Sequence, residues 1–147
     1  MAKINGCEIP ENLYYFLDKH SWAMPLSDGK VRVGMTMPAV KMAGKLTAVT
    51  PRAKNIGKEL ARGKSIGTME SSKYVGPIPT PVSGTLVTVN QEAEDNPELL
   101  INDPYGKGWV AELTVPDWDE QKDGLLTGQA AIDAYKAFMD KEGFSCD

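Results

Sequence analysis

A mainly β fold, a small sandwich or barrel with helices at both ends, is what this sequence predicts. Short β-favouring segments fill the middle of the chain, turns rich in glycine and proline separate them, and amphipathic stripes with helical spacing lie outside them. The segments do not alternate regularly with helices, which disfavours a doubly wound parallel sheet. At 147 residues the chain has the size of one domain with one core. The expected organisation is a single domain over residues 1–147, with an N-terminal helical extension over 1–20 and a C-terminal helical segment over 117–147.

The first element expected is a helix opening at Pro10, with Leu13, Phe16 and Leu17 on one side. A strand follows over residues 31–35. Thr36 then opens a short helix with Pro38 in its first turn and Gly44 at its exit. Strands are expected over 46–49, 64–69, 84–89 and 109–115, joined through turns such as Ala61-Arg62-Gly63, Val82-Ser83-Gly84 and Asp103-Pro104-Tyr105-Gly106. The last helix is capped by Thr127, lays Ala131, Ile132, Tyr135, Phe138 and Met139 along one side, and stops at Gly143. All three stripes read as core packing.

Composition narrows the function. Apolar residues make up 41% and charged residues 24%, an ordinary globular balance. No apolar run is long enough for a bilayer crossing and the opening residues lack a signal-peptide centre, so a cytoplasmic monomer without membrane contact is expected. Cys7 and Cys146 are the only cysteines and His20 the only histidine, too few for a zinc cluster or a disulfide scaffold; both cysteines read as free thiols in the chain ends. No nucleotide-binding glycine loop or nucleophile elbow is present, and nothing forms a self-sufficient catalyst. Charge is uneven: over residues 30–64 nine cations face the single acid Glu59, giving +8, while over 92–147 fourteen acids face four lysines, giving −10. Such asymmetry either steers an acidic partner or neutralises itself across the folded surface. The cations are not interleaved with aromatics, which argues against nucleic acid.

The informative stretch runs from Gly63 to Tyr74 and on to Pro81-Val82-Ser83-Gly84. A β run enters, Ser71 and Ser72 supply a turn, Lys73 sits at the tip and a second run leaves. A hairpin-tip lysine is open to a modifying enzyme from many directions.

Glu70-Ser71-Ser72-Lys73 resembles the Glu-Ser-Val-Lys lipoylation motif of the glycine cleavage H-protein family. His20-Ser21-Trp22, Val33-Gly34-Met35-Thr36, Pro81-Val82-Ser83-Gly84, Val89-Asn90, Asn96-Pro97-Glu98-Leu99 and the stretch Asn102 to Trp109 resemble further family motifs in the same order, over roughly residues 18–140. The resemblance implies a lipoyl-domain hammerhead, or barrel-sandwich hybrid, with lipoic acid amide-linked to Lys73 by a lipoate-protein ligase or lipoyltransferase. It implies a non-catalytic carrier whose swinging arm takes an intermediate from one enzyme to another. Ser71, Ser72 and Tyr74 would support the hairpin, and Glu70 would serve ligase recognition or stand as a solvated acid.

Two departures bear on the partners. Tyr74 to Thr80 brings two prolines, Pro77 and Pro79, into the return strand, which stiffens it and weakens it as a pairing edge. Lys45 stands where the family carries an acid, Arg52 and Lys54 lie in a short basic insertion that follows, and these three are the candidate partner-docking residues. This reversal is similar to the lipoate-binding proteins of the heterodisulfide-reductase-like sulfur oxidation system, whose opening resembles Ile9 to Tyr15. The expected function is therefore a lipoyl carrier of sulfur intermediates for that complex. The alternatives are the H protein of glycine cleavage, carrying the aminomethyl group between its enzymes, and an unmodified interaction module.

Overall fold

The computed structural model describes residues 2–146. An opening hairpin of β1 (Ala2–Ile4) and β2 (Cys7–Ile9) leads to β3 (Tyr14–Phe16), β4 (Ser21–Pro25), β5 (Lys30–Met35), helix α1 (Met37–Ala43) and β6 (Leu46–Pro51). The short β7 (Glu59–Leu60) precedes the hairpin β8 (Ser65–Ser71) and β9 (Val75–Pro79), and then β10 (Gly84–Val89). Short helices α2 (Gln91–Asp95) and α3 (Leu99–Asn102), strand β11 (Ala111–Thr114), helix α4 (Trp118–Gln121), strand β12 (Leu126–Thr127) and helix α5 (Gly128–Glu142) complete the order.

The strands form three antiparallel sheets: β1-β2, the seven-stranded β12-β3-β4-β5-β11-β10-β7, and the three-stranded β6-β8-β9. The larger two share one core, in which Val31, Val33, Leu86 and Leu113 from the first meet Val49, Ile66 and Ile78 from the second. A second core of Ile9, Leu13, Tyr15 and Trp22 is covered by Ala131, Tyr135 and Met139 of α5. The mainly β architecture expected from the sequence is thus the one observed. No helix among the described residues is long and apolar enough to cross a membrane.

The helical extension expected over residues 1–20 is replaced by strands. Tyr14-Tyr15-Phe16 is extended, pairing with β4 on one side and with β12 on the other. Leu13 and Tyr15 enter the second core while Tyr14 and Phe16 pack against the first. A strand with an apolar partner on each face has no polar alternation, so its aromatic run mimics the spacing of a short helix. The Tyr15 hydroxyl donates to Pro10 O at 2.6 Å and closes the segment on itself.

The other two helices stand where expected, although their threonines act differently. Thr36 and Thr127 occupy the N-cap positions of α1 and α5 without capping through their side chains. Thr36 Oγ1 accepts from the Tyr135 hydroxyl at 3.2 Å, and Thr127 Oγ1 donates to Leu13 O at 2.7 Å. Both hydroxyls therefore tie a helix start to a distant element. Gly143 ends α5 in the left-handed region at φ +64°, as a glycine stop requires.

The free thiols expected at Cys7 and Cys146 are instead joined in a disulfide across 139 residues of sequence. The chain ends meet because Cys146 N–H donates to Asn5 O at 2.8 Å and Asn5 Nδ2 donates to Phe144 O at 3.3 Å. Placing both cysteines in chain ends does not reveal that α5 brings those ends together.

Candidate functional site

Lys73 is exposed at the tip of the β8–β9 hairpin, in the turn the sequence predicts. Ser71 N–H donates to Tyr74 O at 2.7 Å, and Lys73 N–H donates to Ser71 Oγ at 3.2 Å. This is the local hydrogen bonding that makes serine a turn residue. Ser72 is exposed beside Lys73, and the exposed Glu70 side chain contributes its backbone to the ladder opposite Val75. Tyr74 lies back over Gly76, where a Cβ would collide with the tyrosine hydroxyl. Two hydrogen bonds shape the turn backbone, and Lys73 Nζ makes none among the described residues.

A groove of about 540 Å³ lies alongside the hairpin. Met35, Ala39, Met42 and Ala43 line one wall, Met69, Tyr74, Pro77 and Pro79 the other, with Lys73 at the rim and Asp18 and His20 also on the lining. Methionine gives such a wall a soft, adaptable surface. Gly44, which ends α1, has φ +85°, and a Cβ there would stand 3.0 Å from Lys73 Cε. Glycine thus meets both the backbone conformation and the close approach of the lysine stem.

His20 enters the lining from a left-handed turn, φ +57°. Its Nδ1 lies 3.3 Å from the Tyr135 hydroxyl and its ring 4.8 Å from that of Phe138. Burial lowers its pKa below the ordinary histidine value, against the opposing field of Asp18. Desolvation holds the Tyr135 hydroxyl well above its usual range despite the Thr36 bond. Burial therefore favours the neutral imidazole of His20, beside the charged Asp18 and Lys19 on the same lining.

Lys45 immediately precedes β6, where Leu46 pairs with Ser71, so it stands at the base of the lysine hairpin. Arg52 and Lys54 do not join it. Arg52 N–H donates to Ile66 O at the opposite end of β6, and an extended strand of that length sets them roughly 20 Å apart. The three candidate docking residues therefore lie in two separate positive regions. Sequence reasoning missed the groove itself. The spacing of Met35, Ala39, Met42 and Ala43 was its available signal, but the opposite wall comes from a different sheet.

The motif residues away from the hairpin hold the scaffold. Trp22 sits opposite Gly34 on the adjacent strand, where a Cβ would come within 2.6 Å of the indole, and its Nε1 donates to Met35 O and Pro104 O. The Tyr105 hydroxyl accepts from Met37 N–H at 2.9 Å and donates to Glu8 O at 2.7 Å, fastening the start of α1.

Comparison with known proteins agrees over nearly the whole chain. The glycine cleavage H-protein family model matches residues 13–138. A probable glycine cleavage system H protein 2 of Sulfurisphaera tokodaii is 42% identical over 148 residues, covering 99% of this chain and 98% of the relative. Glycine cleavage system H protein 5 of Aquifex aeolicus is 39% identical, with 99% of each covered. The crystal structure of a glycine cleavage system H protein from Mycobacterium marinum superimposes with a TM-score of 0.68 at 32% identity, covering 92% of this chain and all of that one. The chain belongs to the glycine cleavage H-protein family, whose members are non-catalytic carriers holding lipoic acid in covalent linkage to a lysine.

Proposed function

We propose that Lys73 is the lipoyl attachment point and that the carried group is the aminomethyl group of glycine cleavage. The observation behind the first part is the exposed lysine at a hydrogen-bonded two-strand turn beside an apolar groove. The residues fit the group: the turn presents the amine to a ligase, and the methionine walls offer an apolar surface beside its stem. Lipoic acid amide-linked there would supply a dithiolane whose S–S bond a carbon or sulfur nucleophile can open, one sulfur taking the group and the other becoming a thiol. The chain's own part is to place Lys73, keep Gly44 clear of its stem, and keep water from the groove wall through Met35, Met42 and Met69.

The aminomethyl reading replaces sulfur carriage as the first choice because the relatives carry glycine cleavage names in archaea and bacteria alike. Sulfur carriage for a heterodisulfide-reductase-like complex remains the second reading. It is favoured by one observation: Lys41, Lys45, Arg52, Lys54, Lys58 and Lys64 enter no ion pair among the described residues, so their charge stays available to an acidic partner.

Intact mass and peptide mapping of protein made with an active lipoate-protein ligase test the attachment. Wild type should gain one lipoyl amide on Lys73, and Lys73→Arg none; addition to the variant at another lysine would overturn the assignment. Single-turnover exchange with glycine cleavage enzymes, run beside the heterodisulfide-reductase-like complex, then separates the two pathways.

A further inference from the structure

At the far end of the β6-β8-β9 sheet from Lys73, a pocket of about 430 Å³ is lined by Arg52, Asn55, Glu59, Leu60, Lys64 and Ser65. We propose that this pocket binds an oxyanion, phosphate or carboxylate, in the fork of Arg52 together with Lys64 and Asn55. Arg52 is half-buried, its Nε is shut off from solvent, and none of its guanidinium N–H groups meets an acceptor among the described residues. A guanidinium whose donors are unassigned can take a planar or tetrahedral oxyanion through its outer N–H groups.

Lys64 and Asn55 come from different elements, and no hydrogen bond or ion pair occupies their side chains among the described residues. The pocket does not repeat the turn chemistry around it. The Ser65 hydroxyl is already committed to Gly67 O at 2.6 Å, and Arg52 N–H to Ile66 O. Glu59 is the one acid on the lining and forms no ion pair with either cation. Exposed Lys54 and Lys58 on the intervening loop outweigh it in the local field. The inference is independent of Lys73 and stands whether or not that residue is lipoylated.

The test is an amide-resolved NMR titration of the full chain with sodium phosphate and with sodium acetate, each against sodium chloride at matched ionic strength. Saturable shifts of Asn55 and Ser65 amides are expected with at least one of the two oxyanions and not with chloride. Saturation by phosphate alone identifies a tetrahedral ion, and saturation by acetate identifies a carboxylate, such as an acidic side chain of a partner. Arg52→Gln and Lys64→Gln should each weaken binding by roughly tenfold or more, the worth of one charge-assisted hydrogen bond. Lys30→Gln, an equal charge change outside the pocket, should leave it unaltered, and Glu59→Gln should tighten it. The proposal fails if neither oxyanion saturates, if Arg52→Gln and Lys64→Gln bind as wild type does, or if Lys30→Gln weakens binding as much as they do.

Discussion

Replacing Asn90 should destabilise the protein more than any surface position of similar size, and the structure sets the amount. Asn90 is 6% exposed. Its Nδ2 donates to Lys107 O and Trp109 O, each at 2.8 Å, while its Oδ1 accepts from Glu92 N–H at the start of α2. Alanine removes all three bonds. Two lost hydrogen bonds are worth about 1 kcal/mol each and a lost cap about 1 kcal/mol more, or about 3 kcal/mol in all. For a domain near this size that lowers Tm by about 6–12 °C. Asn90→Ser keeps a capping oxygen and should recover about 1 kcal/mol of the loss. Urea unfolding of the three proteins, with a calorimetric Tm for each, measures both steps. An alanine variant within about 0.5 kcal/mol of wild type, or a serine variant no better than alanine, would refute the assignment of these bonds as structural. The site feels the same change, because the loop that Asn90 holds carries Tyr105, and Tyr105 fastens α1 beneath the groove.

Two further outcomes follow from the second core and its neighbours. Cys146→Ser opens a loop of 139 residues, for which chain entropy alone gives a loss of up to about 5 kcal/mol; unchanged stability under non-reducing conditions would show that the α5 contacts hold the chain ends without the bond. Because burial holds the folded His20 pKa below its unfolded value, the unfolded chain takes up the proton first as pH falls. That contribution to stability is full above about pH 6.5 and is lost at up to about 1.4 kcal/mol per pH unit as pH falls toward the folded value. His20→Gln should flatten the slope in urea unfolding between about pH 7.5 and 5.5, and an unchanged slope would assign it to carboxylates instead.

What could be read from the sequence was what is local. Helix α5 shows its 3.6-residue stripe because Ala131, Tyr135 and Met139 face one core and the opposite side faces water. The hairpin of Lys73 is legible for the same reason, since its turn is built from Ser71, Lys73 and Tyr74 alone. Strand β3 was not legible, because an element buried on both faces gives no contrast between them, and length alone cannot separate it from one turn of helix. The disulfide and the groove were out of reach for a further reason. Each joins segments that are distant in sequence, and no spacing within either segment records the other. Position along an extended strand divided the docking residues in the same way: Lys45 and Arg52 are close in sequence, but β6 carries one to the lysine hairpin and the other to the opposite end of the sheet. A surface built so presents one charge beside the Lys73 hairpin and another a strand's length away. A partner that engages both must span the whole three-stranded sheet, which fixes its orientation relative to Lys73.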